Sequence, residues 1–118
     1  GGTEVLGKTG EPSRKVDWSS VFVRDPEVLV LMPCGLGVDR AIADVGLLTR
    51  LDGWGRVAAV RTGEVYATDG SSYFSRPGPR LVDGLEILAK IIHPEVFPWD
   101  IAPDRAVRLS AAGIPLRR

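Results

Sequence analysis

Val28-Leu29-Val30-Leu31-Met32-Pro33-Cys34-Gly35-Leu36-Gly37 is the stretch that decides the class of fold. Its first five residues are apolar without alternation, as in a strand of a parallel sheet covered on both faces. Pro33 to Gly37 then reads as a turn at the strand's carboxyl end. Beyond it, Val38, Ile42, Val45, Leu48 and Leu51 recur three or four apart, the spacing of a one-sided helix over 38–51. Asp39 suits the positive end of that helix.

Working upstream, residues 1–16 are rich in glycine, lysine and proline and read as an extended segment. Asp17 is a candidate cap for a short helix from Trp18 to Arg24 with Val21 and Phe22 inward, and Asp25-Pro26 ends it because the residue before proline disfavours helix. Downstream, Asp52-Gly53-Trp54-Gly55 breaks the pattern. Val57 to Val60 is either a strand partner or a connector, and Glu64 to Thr68 reads as a second strand. Tyr73-Phe74-Ser75-Arg76-Pro77-Gly78-Pro79-Arg80 forms a loop stiffened by prolines. It opens a helix that reaches about Ile92, with an expected apolar face of Leu81, Leu85, Leu88 and Ile92. Residues 98–118 carry prolines and little period, and are expected to be extended or packed as a strap. This alternation predicts an α/β fold, a three-layer Rossmann-like unit with a small, mostly parallel sheet flanked by helices. Such sheets bind ligands beyond the carboxyl ends of their strands, where the loops 33–37 and 69–78 both lie.

The chain has 118 residues, enough for one core, and balances 15 basic against 15 acidic side chains. No overall field draws it to nucleic acid or an anionic membrane. The single Cys34 excludes an internal disulfide and any multi-cysteine metal site. No apolar run is long enough to span a bilayer, so the chain is not expected to be membrane-embedded, and the first ten residues lack the pattern of a signal peptide.

Among candidate sites, Gly35-Leu36-Gly37 is an incomplete phosphate-binding fingerprint, because Arg40 stands where a third glycine belongs. Cys34 beside it reads as either a thiol at a helix amino end or a small filler. The loop 69–76 carries more: the flat faces of Tyr73 and Phe74, the hydroxyls of Ser71, Ser72 and Ser75, and the planar donors of Arg76. That mixture suits a large organic ligand with amide, carboxylate or phosphate groups. The alternative is that Phe74 is core and Arg76 pairs with a surface carboxylate. His93 reads as a helix-end residue, and Trp18, Trp54 and Trp99 as packing residues. No second histidine, paired carboxylates or nucleophile motif points to catalysis, and no metal site is expected.

Several blocks together resemble one family. They are Trp18 followed by Asp25-Pro26-Glu27-Val28-Leu29-Val30, Pro33-Cys34-Gly35, Trp54, Ala59 to Ala67, Tyr73 to Glu86, and His93-Pro94-Glu95. The likeness is to the carboxyl-terminal lobe of the solute-binding proteins of ABC importers for cobalamin and iron siderophores, and most of all to the cobalamin-binding branch. It covers residues 1–97, and Ser75 to Arg80 is its most specific part.

The resemblance implies a lobe whose amino-terminal partner, connecting helix and first strand lie outside this sequence, leaving 98–118 as a tail. It implies a non-enzymatic protein in a periplasmic or extracytoplasmic setting that holds a corrinoid, iron siderophore or haem. Ser13, Cys34, Gly35, Ser72, Tyr73, Phe74 and Arg76 would face the ligand, with Tyr73 and Arg76 as the leading contacts. Docking to an ABC permease would use a glutamate just after Trp18, where this sequence has Ser19 and Ser20. Ser13 stands where cobalamin-gripping relatives place an aromatic. An isolated lobe supplies about half of the contacts, so weak binding is expected unless two copies pair or the other lobe is added. Two further readings stand beside this one: an interaction or sensory module that keeps the fold, and a nucleotide-dependent enzyme using Gly35 and Gly37.

Overall fold

A computed structural model describes residues 1–116. Helix α1 (Trp18–Arg24) leads to strand β1 (Leu29–Leu31) and helix α2 (Val38–Leu48). A single 3-10 turn, Trp54–Arg56, precedes α3 (Ala58–Thr62), strand β2 (Val65–Thr68) and the one-turn helix α4 (Gly70–Tyr73). Helix α5 (Arg80–Ile92) and strand β3 (Ala106–Leu109) complete the order.

The three strands lie in the order β1-β2-β3. β1 and β2 are parallel, with Leu29 opposite Val65 and Leu31 opposite Ala67. β2 and β3 are antiparallel, with Val65 opposite Leu109 and Ala67 opposite Val107. Because side chains alternate across a strand, this register sorts the residues by face. Leu29, Leu31, Val65, Ala67, Val107 and Leu109 meet Val45, Trp54 and Val57 on one side. Val28, Val30, Tyr66 and Ala106 meet Ile87, Ile91 and Phe74 on the other. Helices thus cover both faces, giving the three α/β layers expected, around a sheet that is mixed: one parallel and one antiparallel pair.

Three local expectations need correction, and one open alternative is decided. The first strand is shorter than Val28–Met32 and only half-buried, because its outer edge has no neighbouring strand among the described residues. Helix α2 stops at Leu48 and leaves Leu51 37% exposed. There the Thr49 hydroxyl donates to the Gly46 carbonyl at 3.0 Å, a side-chain bond that competes with continued helix. Of the two readings of Val57 to Val60, the structure takes the connector and not the strand partner. Ala58 opens a short helix whose first amide donates to Asp25 Oδ1 at 2.7 Å. The face of α5 is rotated: Gly84, Ile87 and Ile91 are buried, while Leu81 and Leu85 are 42% and 66% exposed. Gly84 sets that rotation, since a Cβ there would lie 2.6 Å from the Tyr73 carbonyl oxygen and 3.1 Å from the Phe74 ring. Only glycine lets the two segments approach so closely.

Two further features were not separately foreseen. The segment 69–78 begins with a helical turn, α4, and the tail enters the sheet as β3, closed by a bridge between Leu109 and Pro115.

At the amino end of β2, the Tyr66 hydroxyl donates to Glu64 Oε2 at 2.7 Å, and Arg108 pairs with the same carboxylate. Burial first, then the hydrogen bond and charge of Glu64, push the Tyr66 phenol up to about 12. A folded-state value above the unfolded one favours the folded protein below pH about 10, and that contribution is lost as pH rises toward 12. Spectrophotometric titration is expected to show one tyrosine ionising late. Glu64→Gln should bring that ionisation earlier, and an unchanged late step would remove Glu64 as a cause.

Candidate functional site

Since β1 and β2 are parallel, the segments that leave their carboxyl ends emerge side by side. Thr68, at the end of β2, is fully buried and its hydroxyl donates to the Leu31 carbonyl at 2.9 Å. Gly70 then passes directly against the first turn. A Cβ on it would overlap the Pro33 carbonyl oxygen and lie 2.8 Å from the Met32 carbonyl carbon. Asp69 caps α4 by accepting from the Ser72 amide at 2.8 Å.

Two polar links complete the joint. The Ser71 amide donates to the Leu36 carbonyl at 3.1 Å. The Ser75 hydroxyl donates to the Gly70 carbonyl at 2.6 Å and accepts from the Gly35 amide at 3.4 Å. The segments 33–37 and 69–75 therefore form one wall.

The residues singled out by sequence sit on this wall in different ways. Cys34, Gly35 and Arg76 are exposed, and Arg76 has no hydrogen bond or ion pair among the described residues. Ser72, Tyr73 and Phe74 are half-buried. Phe74 packs under Gly84 and into the second core, so its main role is to seat α5. Tyr73 also packs there, and its ring lies against a guanidinium. Ser13 is exposed, and no hydrogen bond ties it to either segment among the described residues. Its neighbours Arg14 and Val16 line a hollow over α1 instead.

Arg105 escaped the sequence reading. Its carbonyl accepts from the Asp69 amide at 2.9 Å, and its guanidinium carbon lies 5.4 Å from the centre of the Tyr73 ring. Nothing in its own segment marked it, because an arginine in an aperiodic tail gains meaning only once β3 pairs with β2. Arg105 also borders a hollow of about 330 Å³ shared with Asp83, Glu86 and Trp99. Gly70 was missed for a similar reason, as its neighbours are distant in sequence. His93 closes α5 and places Nδ1 3.5 Å from a Glu95 carboxylate oxygen. Trp18 and Trp54 pack together with ring centres 5.9 Å apart.

Chemically, this wall combines an aromatic face backed by a guanidinium with the open planar donors of Arg76. Such a surface can stack on a flat organic group and donate to carboxylate, amide or phosphate oxygens.

Over 46 residues this chain is 44% identical to the uncharacterized ABC transporter substrate-binding lipoprotein YvrC of Bacillus subtilis (strain 168). The likeness is to a substrate-binding component. It takes in 39% of this chain and 14% of that relative, so the sequence spans well under two thirds of the protein it matches. No family model matches, and no solved structure matches. The shared block supports a relation to solute-binding proteins in general and names no ligand. No helix among the described residues is long and apolar enough to cross a membrane.

Proposed function

We propose that this chain is a non-catalytic ligand-binding lobe of a solute-binding protein serving an ABC importer, with cobalamin or a related metal chelate, an iron siderophore or haem, as its ligand. The observation that carries this reading is the wall at the carboxyl edge, where Tyr73 lies against Arg105, the residue just before β3, and Arg76 is exposed with no partner among the described residues. The 46-residue likeness to a substrate-binding lipoprotein supports it. Residues 1–97 would supply the wall and 98–118 the strand that brings Arg105 to it. A second lobe would close the cleft, and the setting would be extracytoplasmic.

The test is calorimetric titration of cyanocobalamin, haemin and a ferric siderophore into this chain and into the intact protein. Tight binding to the intact protein and weaker binding here are expected. Arg76→Ala and Tyr73→Ala are each expected to weaken binding about tenfold, the effect of losing roughly 1.4 kcal/mol of contact. Absence of binding to all three ligands by both proteins would sink the reading.

Ser19 and Ser20, in place of the glutamate implied by resemblance, favour a second reading: a sensory or interaction module that keeps the binding wall. Stimulated uptake in a reconstituted importer would exclude it. A nucleotide-binding enzyme is less well supported, because the Gly35 amide that would meet a phosphate already donates to Ser75.

A further inference from the structure

Beside the wall, α5 and the segment 99–105 border the hollow of about 330 Å³, α5 contributing Asp83 and Glu86 and the tail Trp99 and Arg105. Asp44, Glu64, Asp69 and Asp83 are the half-buried carboxylates among the described residues. Asp44 holds Arg40, Glu64 holds Tyr66 and Arg108, and Asp69 accepts from the Ser72 amide. Asp83 alone of these has no hydrogen bond or ion pair among the described residues. The tryptophans divide the same way. The indole N–H of Trp18 donates to the Asp52 carbonyl at 2.7 Å and that of Trp54 to the Ala111 carbonyl at 2.8 Å. That of Trp99 has no acceptor among the described residues, and its ring is 39% exposed. Arg105 faces the same space without an ion pair to Asp83 or Glu86. Its guanidinium carbon, 5.4 Å from the Tyr73 ring centre, joins the hollow to the ligand wall.

We propose that this hollow is a subsite of the wall that takes a carboxamide arm of the bound ligand. A carboxylate only accepts hydrogen bonds, whereas a guanidinium and an indole only donate them. The group that answers both is uncharged and carries N–H donors beside a carbonyl oxygen. Asp83 would receive its N–H, and Arg105 and Trp99 would meet its oxygen. A carboxylate arm would be repelled by Asp83 and Glu86, and an ammonium arm by Arg105. The inference rests on the reading of the wall as a ligand face and narrows it, since the arms of cobalamin end in carboxamides and those of haem in carboxylates. The outer half of the subsite, Trp99 to Arg105, lies beyond residues 1–97, which carry the family resemblance. The specificity it supplies therefore comes from this chain's own tail.

The first test titrates the ¹⁵N-labelled chain with propionamide, propionate and propylammonium, following the Trp99 indole signal and the Asp83 and Arg105 amides. Propionamide should shift these signals saturably, and the two ions should not. The second is calorimetry on the intact protein. Cyanocobalamin should bind about tenfold more tightly than the same corrinoid with its arm amides hydrolysed to carboxylates, a difference of about 1.4 kcal/mol. Asp83→Asn should narrow that preference to about threefold, with a spectrum unchanged elsewhere to show the fold intact. An equal or stronger response to either ion, equal binding of the two corrinoids, or a preference untouched by Asp83→Asn would overturn the proposal and leave the reading of the wall standing. If propionamide filled the hollow but neither corrinoid, haemin nor a ferric siderophore bound, the reading of the wall would fall and the subsite would stand.

Discussion

Gly70→Ala is expected to destabilise the protein by about 3 kcal/mol, the upper part of the range for forcing extra atoms into a filled site. The added methyl would meet backbone, the Pro33 carbonyl and the Met32 carbonyl carbon at 2.8 Å, and no rotamer change can relieve that. Either the turn 33–37 or α4 must move, and the links through Ser71 and Ser75 would be lost with it. Denaturant unfolding should show a lower midpoint with an unchanged slope. Gly46→Ala provides the opposite sign. Gly46 is exposed within α2 and a Cβ there meets nothing within 4 Å, so alanine should stabilise by about 0.5–1 kcal/mol. If both variants moved the midpoint the same way, the two segments would not be joined as described.

Leu109→Ala should cost about 3 kcal/mol, as a leucine truncated in a closed core does. Among the described residues Leu109 is the largest fully buried side chain and lies opposite Val65, yet it belongs to a tail that sequence alone marked only as extended or packed as a strap. For a chain of this size the loss corresponds to a fall in Tm of roughly 10–15 °C. Ile114→Ala, only a few residues on but 63% exposed, should change Tm little. Equal small effects at both positions would mean that β3 adds no stability.

What the sequence disclosed follows from how local each determinant is. The run from Val28 to Val38 contains its own strand, turn and helix start, and so was legible. The second strand was legible too, and with it the edge where ligands gather. Helix α5 carries two interleaved apolar sets, Leu81-Leu85-Leu88-Ile92 and the set built on Gly84, Ile87 and Ile91. A distant contact, Gly84 against Tyr73 and Phe74, chooses between them. β3 was hidden because Ala106-Val107-Arg108-Leu109 is too short for its alternation to stand out. Without it Arg105 could not be placed beside Tyr73, so half of the wall was readable and half depended on pairing across the sheet.

Asp25 reads in sequence as a helix stop, and in the fold it is a joint. Its backbone is left-handed, φ 47°, its amide closes α1 on the Val21 carbonyl, and its carboxylate holds the first amide of α3. A side chain at this position must tolerate that backbone and also present an oxygen at short reach. Glycine would satisfy the first demand and glutamate the second, but among the uncharged residues only asparagine meets both. The position should therefore accept almost no variation in natural relatives, although it touches neither the ligand wall nor the hollow over α1.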